Sequence, residues 1–233
     1  MCRDPLRYAG RTAVFLLSLF LASVPAASAQ QAGKGQDAPG QFDFYVLALS
    51  WSPSFCASQK PARRARETQC NGRPFAFVVH GLWPQFEHGF PSYCQVPAPR
   101  LDRALVDKAL DLMPSRSLIY HEWDRHGTCS GLSPQSYFAT VRKARAAVTI
   151  PPQYRTLDQT ATVSPAAVRS AFIQSNAGLT VDDMAVACDS KRLTEVRLCL
   201  SRDFHFRACP QIVRRTCRRD RIAMPAVRSG DGN

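Results

Sequence analysis

Residues 75–84 read Phe-Ala-Phe-Val-Val-His-Gly-Leu-Trp-Pro, an apolar run that leads into a histidine. Aromatic and β-branched residues at this density are typical of a buried strand, so Phe75 to Val79 is predicted to be one that ends directly at His80. Phe42 to Leu49 has the same character and predicts a second buried strand. The first expectation is therefore a sheet core that delivers a histidine at the end of a strand.

The rest of the chain carries helix signals followed by further strand signals. Leu101 to Met113 has apolar residues at helical spacing, and Ser133-Pro134 and Ser164-Pro165 each combine an N-cap with a proline in the first turn. The predicted fold class is α+β, with helices packed on a mostly antiparallel central sheet in a disulfide-stabilised single domain. The later predicted strands cover residues 181–187, 195–200 and 204–206.

Both ends of the chain differ from its middle. Three arginines precede the apolar run 13–24, and Ala27-Ser28-Ala29 follows it, which is the pattern of a secretory signal peptide over residues 1–29. Residues 30–40 are predicted to be a flexible leader, residues 41–220 the folded domain, and residues 221–233 a disordered tail. The run 13–24 is too short to span a membrane, and we expect no membrane association.

Net charge and cysteine content indicate the kind of partner and the kind of compartment that suit this protein. The formal net charge of the 233-residue chain is +12, and loss of the signal peptide, with three arginines and one aspartate, leaves +10. Such an excess favours a polyanionic partner, although many exported proteins are simply basic. Eight of the nine cysteines remain after Cys2 is removed, and an even number in an exported protein indicates four disulfides. Spacing alone leaves many pairings open.

The segment His121-Glu-Trp-Asp-Arg-His-Gly-Thr-Cys129 holds two more of the five histidines. On a helix, His121, Glu122, Arg125 and His126 share one face, and Glu122 is spaced to pair with either Arg125 or His126. Histidines beside a carboxylate and a guanidinium are suited to acid–base chemistry on a phosphate. The alternative is a solvated charged face with an incidental ion pair.

A zinc site is the rival interpretation, because His-Glu begins a metalloprotease motif. Here the second histidine follows at i+5, too far around a regular helix for both to bind one metal, so we expect no metal and no cofactor. RNA suits the residues better, since its 2′-hydroxyl is an internal nucleophile and the enzyme need only supply a base, an acid and cations. DNA lacks that hydroxyl and would at most bind non-productively.

Two stretches resemble the active-site signatures of the ribonuclease T2 family, the acid ribonucleases that include the plant self-incompatibility ribonucleases. They are Phe77-Val-Val-His-Gly-Leu-Trp-Pro84 and the segment 121–129 quoted above. Residues 42–56 and 193–199 resemble the first strand and a late core strand of the family, so the resemblance covers roughly residues 42–217. It implies an exported endoribonuclease whose catalytic domain is the segment 41–220.

The resemblance also implies roles for individual residues. His126 would be the general base on the 2′-hydroxyl, His80 the general acid for the 5′-oxygen, and His121 a ligand of the phosphate. Glu122 and Arg125 would stabilise the transition state. Single-stranded RNA would be cleaved through 2′,3′-cyclic phosphates to 3′-phosphates, and the residues implied to bind the bases are Trp83, Gln85 and Phe90.

This sequence departs from the family at two positions. Arg125 stands where the family usually has lysine, which keeps the charge but replaces a point charge by a planar fork. Gln85 stands where some members have an aspartate, so we expect low base specificity. The family further implies the disulfides Cys56–Cys70, Cys94–Cys129, Cys188–Cys217 and Cys199–Cys209.

The remaining histidines and tryptophans are predicted to lie outside the catalytic site. His205 is predicted to be structural, His88 to lie in a surface loop, and Trp51 and Trp123 to lie in the core. The alternative function is a catalytically inactive RNA-binding or storage protein on the same scaffold. The protein is expected to be a monomer, exported to a bacterial periplasm or the extracellular space, since residues 30–233 contain no N-glycosylation sequon.

Overall fold

The centre of the fold is a four-stranded antiparallel sheet in the order β2-β1-β5-β4, seen in a computed structural model that describes residues 37–227. A separate two-stranded antiparallel sheet joins β3 to β6. The predicted α+β class is confirmed. The strands are β1 (Phe44–Trp51), β2 (Phe77–Gln85), β3 (Ala161–Val163), β4 (Met184–Cys188), β5 (Leu193–Leu200) and β6 (Ile222–Met224).

The longer helices cover one face of the central sheet. Apolar side chains of the longer helices, such as Trp123, Tyr137 and Phe172, pack with Leu47 and Val79 of the sheet in the main core. A smaller apolar cluster lies on the opposite face, which leaves part of that face for polar residues. The helices are α1 (Ser52–Ser58), α2 (Pro61–Arg64), α3 (Thr68–Asn71), α4 (Arg103–Ala109), α5 (Arg116–Arg125), α6 (Pro134–Ala146), α7 (Pro165–Ser175) and α8 (Pro210–Val213).

The two serine-proline signals mark helix starts as predicted. Ser133 Oγ accepts a hydrogen bond from the Ser136 N–H, and Ser164 Oγ accepts one from the Ala167 N–H. The helix predicted over 101–113 is shorter, because the chain turns after Ala109. The Leu112 carbonyl there accepts the Val79 N–H of the edge strand β2 at 3.0 Å.

The expected strand that ends at His80 is wrong in its extent. Strand β2 continues through His80 to Gln85, because β1 pairs with it along its whole length, from Phe44 opposite Gln85 to Trp51 opposite Phe77. The strand expected over 204–206 is also wrong. Phe204 has a φ of 67°, a left-handed conformation that breaks an extended chain, and only Phe206 forms a bridge, to Leu200.

Two segments near the ends of the described region are more structured than expected. In the predicted leader, Asp37 accepts a hydrogen bond from the Ser92 N–H, and the Gly40 N–H donates to the Cys129 carbonyl at 2.9 Å, so residues 37–40 belong to the domain. In the predicted tail, β6 pairs with β3, and its Ile222 is buried. The tail assignment is therefore wrong for residues 221–227. The signal peptide 1–29, the rest of the leader and residues 228–233 lie outside the described residues.

Four disulfides close the domain, with the pairing that the family resemblance implied. Cys94–Cys129 ties the loop after β2 to the 3₁₀ turn Gly127–Ser130 that follows α5. Two of the elements that carry motif histidines are thereby linked covalently. None of the helices within residues 37–227 combines the length and the hydropathy of a membrane span.

Replacing Met224 by alanine tests whether the C-terminal strand is part of the core. Met224 is fully buried against the main cluster, so Met224→Ala is expected to lower the free energy of unfolding by about 2–5 kcal/mol. Denaturant unfolding of the oxidised protein measures it, with Val181→Ala, at a position 49% exposed, as the control. Equal stability of the Met224 variant and the wild type would restore the tail assignment.

Candidate active site

A β-bulge in β2 aims two motif side chains at the same face of the sheet. The register with β1 shifts between Ala48 and Leu49, which face Gly81 and Val79, so His80 is the extra residue. Val79 and Leu82, three residues apart, consequently both pack in the main core, whereas an unbroken strand would alternate. His80 and Trp83 are left on the other face, with ring centroids 5.3 Å apart.

Helix α5 supplies the second half of the site. It begins after Ser115, whose Oγ accepts from the Leu118 N–H, and it ends at His126. Glu122 and His126 are buried, at 1% and 7% exposure, Arg125 is half-buried, and His121 is exposed. The four residues predicted to share one helical face therefore differ in solvent exposure, from the exposed His121 to the buried Glu122.

Glu122 approaches β2 at Gly81, and only a glycine fits there. A Cβ on Gly81 would clash with Glu122 Oε2 and with Trp83 Nε1 where those side chains now lie. The Trp83 N–H donates to Glu122 Oε2 at 2.7 Å, and Glu122 Oε1 lies 3.6 Å from His80 Nε2. The pairing of Glu122 with Arg125 or His126 expected from helical spacing is wrong, because the carboxylate turns toward the strand, where the indole N–H offers a donor.

A second buried carboxylate, Glu195 of β5, flanks His80 from the other side. Its Oε2 lies 2.6 Å from His80 Nδ1, and its Oε1 accepts from Arg197 Nε at 2.6 Å. The Arg197 guanidinium carbon in turn lies 5.3 Å from the centre of the Trp83 ring. Neither residue was predicted as a site residue. The available signal was a pair of alternate charges in the otherwise apolar strand Leu193–Leu200.

His126 completes the cluster around Trp83. Its ring centroid lies 5.4 Å from the Trp83 ring and 6.5 Å from the Phe90 ring. Because His80 lies 5.3 Å from the same indole, the His80 and His126 rings are at most about 11 Å apart, a separation that allows both to reach one phosphate. The Nδ1 atom of His126 is buried and has no hydrogen-bond partner among the described residues.

The two imidazoles have opposite electrostatic environments. Burial, together with the charges of Arg125, His121 and His80, lowers the pKa of His126 to about 3. Burial also acts to lower the pKa of His80, but the hydrogen bond and charge of Glu195, together with the charge of Glu122, raise it above its ordinary value of 6.5. One ring is therefore neutral at a pH where the other is charged.

The two carboxylates also differ. Burial raises the pKa of Glu122 to about 7, against the opposing effects of His80, the Trp83 hydrogen bond and Arg125. Burial would raise the pKa of Glu195 as well, but the His80 hydrogen bond and charge and Arg197 lower it below its ordinary value. Glu195 therefore stays ionised to a lower pH than an ordinary glutamate, whereas Glu122 takes up a proton near pH 7.

Arg125 lies between two exposed aromatic rings. Its guanidinium carbon is 6.0 Å from the centre of the Phe90 ring and 5.9 Å from that of Tyr93, a residue that the sequence did not single out. The Tyr93 N–H donates to the Arg125 carbonyl at 2.9 Å. A planar guanidinium stacks on aromatic rings better than an ammonium does, which gives a physical reason for arginine at this position.

The other residues singled out from the sequence lie either in the interior or on the surface of the domain. Gln85 is 4% exposed and its amide donates to the Pro84 carbonyl, so its proposed base contact stays a prediction. His88 and His205 are exposed. Trp51 and Trp123 are buried in the core as predicted. Among residues 37–227, no group of three or more His, Cys, Asp or Glu side chains is arranged to hold a metal ion.

Comparison with known proteins places this site in a family. A model described as the Ribonuclease T2 family matches residues 42–209. A ribonuclease of Aeromonas hydrophila is 47% identical over 124 residues, which are 53% of this chain and 53% of that protein. Ribonuclease I of Escherichia coli K12 is 28% identical over 173 residues, which are 58% of this chain and 62% of that protein. The chain spans about half the length of the first of these curated relatives.

Solved structures share the fold at lower identity. The RNase-related protein from Calystegia sepium superposes with a TM-score of 0.64 at 21% identity, covering 80% of this chain and 98% of that one. RNase NT in complex with 5′-AMP gives a TM-score of 0.53 at 22% identity, covering 81% and 98%. Since the family model matches most of the chain, including β2, α5 and β5, the chain belongs to the ribonuclease T2 family.

Proposed function

We propose that the protein is an endoribonuclease that cleaves single-stranded RNA without a metal, through 2′,3′-cyclic phosphates to 3′-phosphates. The observation that carries the proposal is the pair of imidazoles around Trp83 whose pKa values are shifted in opposite directions. A base must be neutral and an acid must be charged at the same pH, and this pair meets both conditions in the acidic range.

The reaction assigns one proton transfer to each ring. His126 takes the proton of the 2′-hydroxyl as O2′ bonds to phosphorus, and His80 gives its proton to O5′ as the P–O5′ bond breaks. Water then opens the cyclic phosphate with the two roles exchanged. His80 Nε2 is suited to the acid role because the His80 side chain is 36% exposed, whereas Glu195 occupies Nδ1 on the buried side.

Three further residues act on the phosphate. Arg125 supplies positive charge for the phosphoryl oxygens, and His121 binds the phosphate from the exposed side of α5. Glu122 has a pKa of about 7 and therefore carries a proton at acidic pH. In that form it is a hydrogen-bond donor toward a phosphoryl oxygen and adds no negative charge beside the substrate.

Aromatic stacking is proposed to hold the bases with little selectivity. His80, His126 and Arg197 already contact the Trp83 ring, so Phe90, 41% exposed, is the more accessible surface for stacking. Gln85 is proposed to contribute a polar contact. RNase NT was solved with 5′-AMP, and two RNase MC1 mutants were solved with 5′-UMP and with 5′-GMP, which supports a nucleotide as the ligand.

The compartment and the binding partners of the protein are proposed from its disulfides and its net charge. Four disulfides favour export to an oxidising compartment, either a periplasm or the extracellular space. The net positive charge favours RNA and permits non-productive binding of DNA. A monomer suffices for the proposed chemistry, because one chain provides both imidazoles.

The test of the function is cleavage of RNA in excess EDTA. We expect the purified protein to release 2′,3′-cyclic phosphates from a dinucleotide and to leave the 2′-deoxy analogue intact. His126→Ala is expected to lose at least about 100-fold in rate, and His205→Ala, which alters an exposed histidine, should keep full activity. Binding of RNA by the wild type without cleavage would favour the RNA-binding or storage alternative, and a fully active His126→Ala variant would refute the proposed base.

The pH dependence of the cleavage rate follows from the opposite pKa shifts of His126 and His80. The rate should rise with pH as His126 loses its proton near pH 3 and fall as His80 loses its proton above pH 6.5, so kcat/KM is bell-shaped with an acidic maximum. Initial rates on a dinucleotide measure the profile, with circular dichroism at each pH to confirm that the fold persists. A rate that climbs steadily to about pH 10 would contradict the assignment of His80 as acid.

A further inference from the structure

Glu195 is the one charged partner that contacts the buried side of the His80 ring among the described residues. Its Oε2 lies 2.6 Å from His80 Nδ1, although β1 separates the two strands that carry them. Ser50 of β1 lies opposite both Val78 and Glu195, and its Oγ is 3.5 Å from the same carboxylate oxygen. A small residue at position 50 leaves the two side chains room to meet above β1.

Glu195 is itself held in place. Arg197 Nε donates to Oε1 at 2.6 Å, so each carboxylate oxygen has a charged or ring-nitrogen partner within one face of the sheet. The Glu195 side chain is only 6% exposed, so solvent screens these contacts weakly. Because a carboxylate can only accept, the hydrogen between it and His80 belongs to Nδ1.

We propose that Glu195 is the positioning residue of His80: it holds the Nδ1 proton and thereby fixes Nε2 as the nitrogen that exchanges protons with the substrate. The catalytic consequence rests on the proposed function. In the first step, the doubly protonated ring gives the Nε2 proton to O5′ and becomes neutral with its remaining proton on Nδ1. In the second step, Nε2 takes a proton from the attacking water, and the ring returns to its starting form.

The charged groups around the His80 ring support the assignment of Nδ1 to Glu195 and of Nε2 to the substrate. Glu195 and Arg197 face His80 from β5, and Glu122 faces it from α5. Glu122 lies 3.6 Å from Nε2, a longer contact than the one at Nδ1, and Glu122 is neutral at acidic pH. Glu195 therefore supplies the closer negative charge, and it is the residue whose loss should shift the titration of His80.

The first test reads the tautomer directly and needs no activity. In ¹⁵N-labelled wild-type protein, held above the pKa of His80, two-dimensional NMR of the ring nitrogens should show the proton on Nδ1. The Nε2–H tautomer would overturn the proposal. Glu195→Gln should lower the pKa of His80 by about one unit or more in the same spectra. An unchanged pKa in a folded variant would also overturn it.

The second test reads the catalytic consequence. Glu195→Gln should lower kcat roughly 10- to 100-fold with little change in KM, and the alkaline limb of the pH profile should move to lower pH. Glu195→Asp, which keeps the charge, should restore the limb toward its wild-type position and also serves if the glutamine variant does not fold. Glu67→Gln, which removes a carboxylate from the exposed pair with Arg63, is the matched control and should behave as wild type.

The two tests distinguish a failure of the proposed function from a failure of the role proposed for Glu195. If the wild type does not cleave RNA, the proposed function fails, and the tautomer and titration still decide whether Glu195 holds His80. If Glu195→Gln loses activity while the pH limb and the His80 pKa stay in place, Glu195 is merely structural and the proposal is overturned.

Discussion

The rest of the site depends on the placement of one imidazole, His80, between two buried carboxylates. Burying a carboxylate costs free energy unless it is paired, and each of these has its own partner besides the histidine. Trp83 donates to Glu122, and Arg197 donates to Glu195. The arrangement forms a closed ring of contacts, because Arg197 also packs against Trp83. Its position on the sheet follows from the bulge at His80 and from the missing side chain at Gly81.

The second imidazole, His126, also lies beside Trp83 but has no anionic partner among residues 37–227. His126 is buried beside Arg125, so its proton is disfavoured, whereas the carboxylates favour the proton on His80. Two chemically identical side chains are thereby given opposite protonation states by their surroundings. The Cys94–Cys129 disulfide links the 3₁₀ turn after α5 to the loop after β2, so a covalent bond joins the segments that follow the two imidazoles in the chain.

Sequence patterns predicted local structure well and long-range contacts poorly. The serine-proline pairs located α6 and α7, and the aromatic, β-branched runs located β1 and β2, because capping and burial act through neighbouring residues. The motifs brought His80, Glu122 and His126 together as candidates. Glu195 was missed because its contact with His80 spans 115 residues and crosses β1. The strand β6 was missed because a short segment with many charged neighbours has no periodicity, and its pairing with β3 decides its structure.

The most direct measurement of this account is the order in which the two imidazoles titrate. NMR of the Cε1–H signals, assigned with single histidine variants, gives the pKa of each of the five histidines in the unliganded protein. The account predicts that His80 titrates above 6.5 and that His126 stays neutral down to about pH 3. Two rings that titrate together near the ordinary value would contradict it, because neither could then be assigned as the base or the acid.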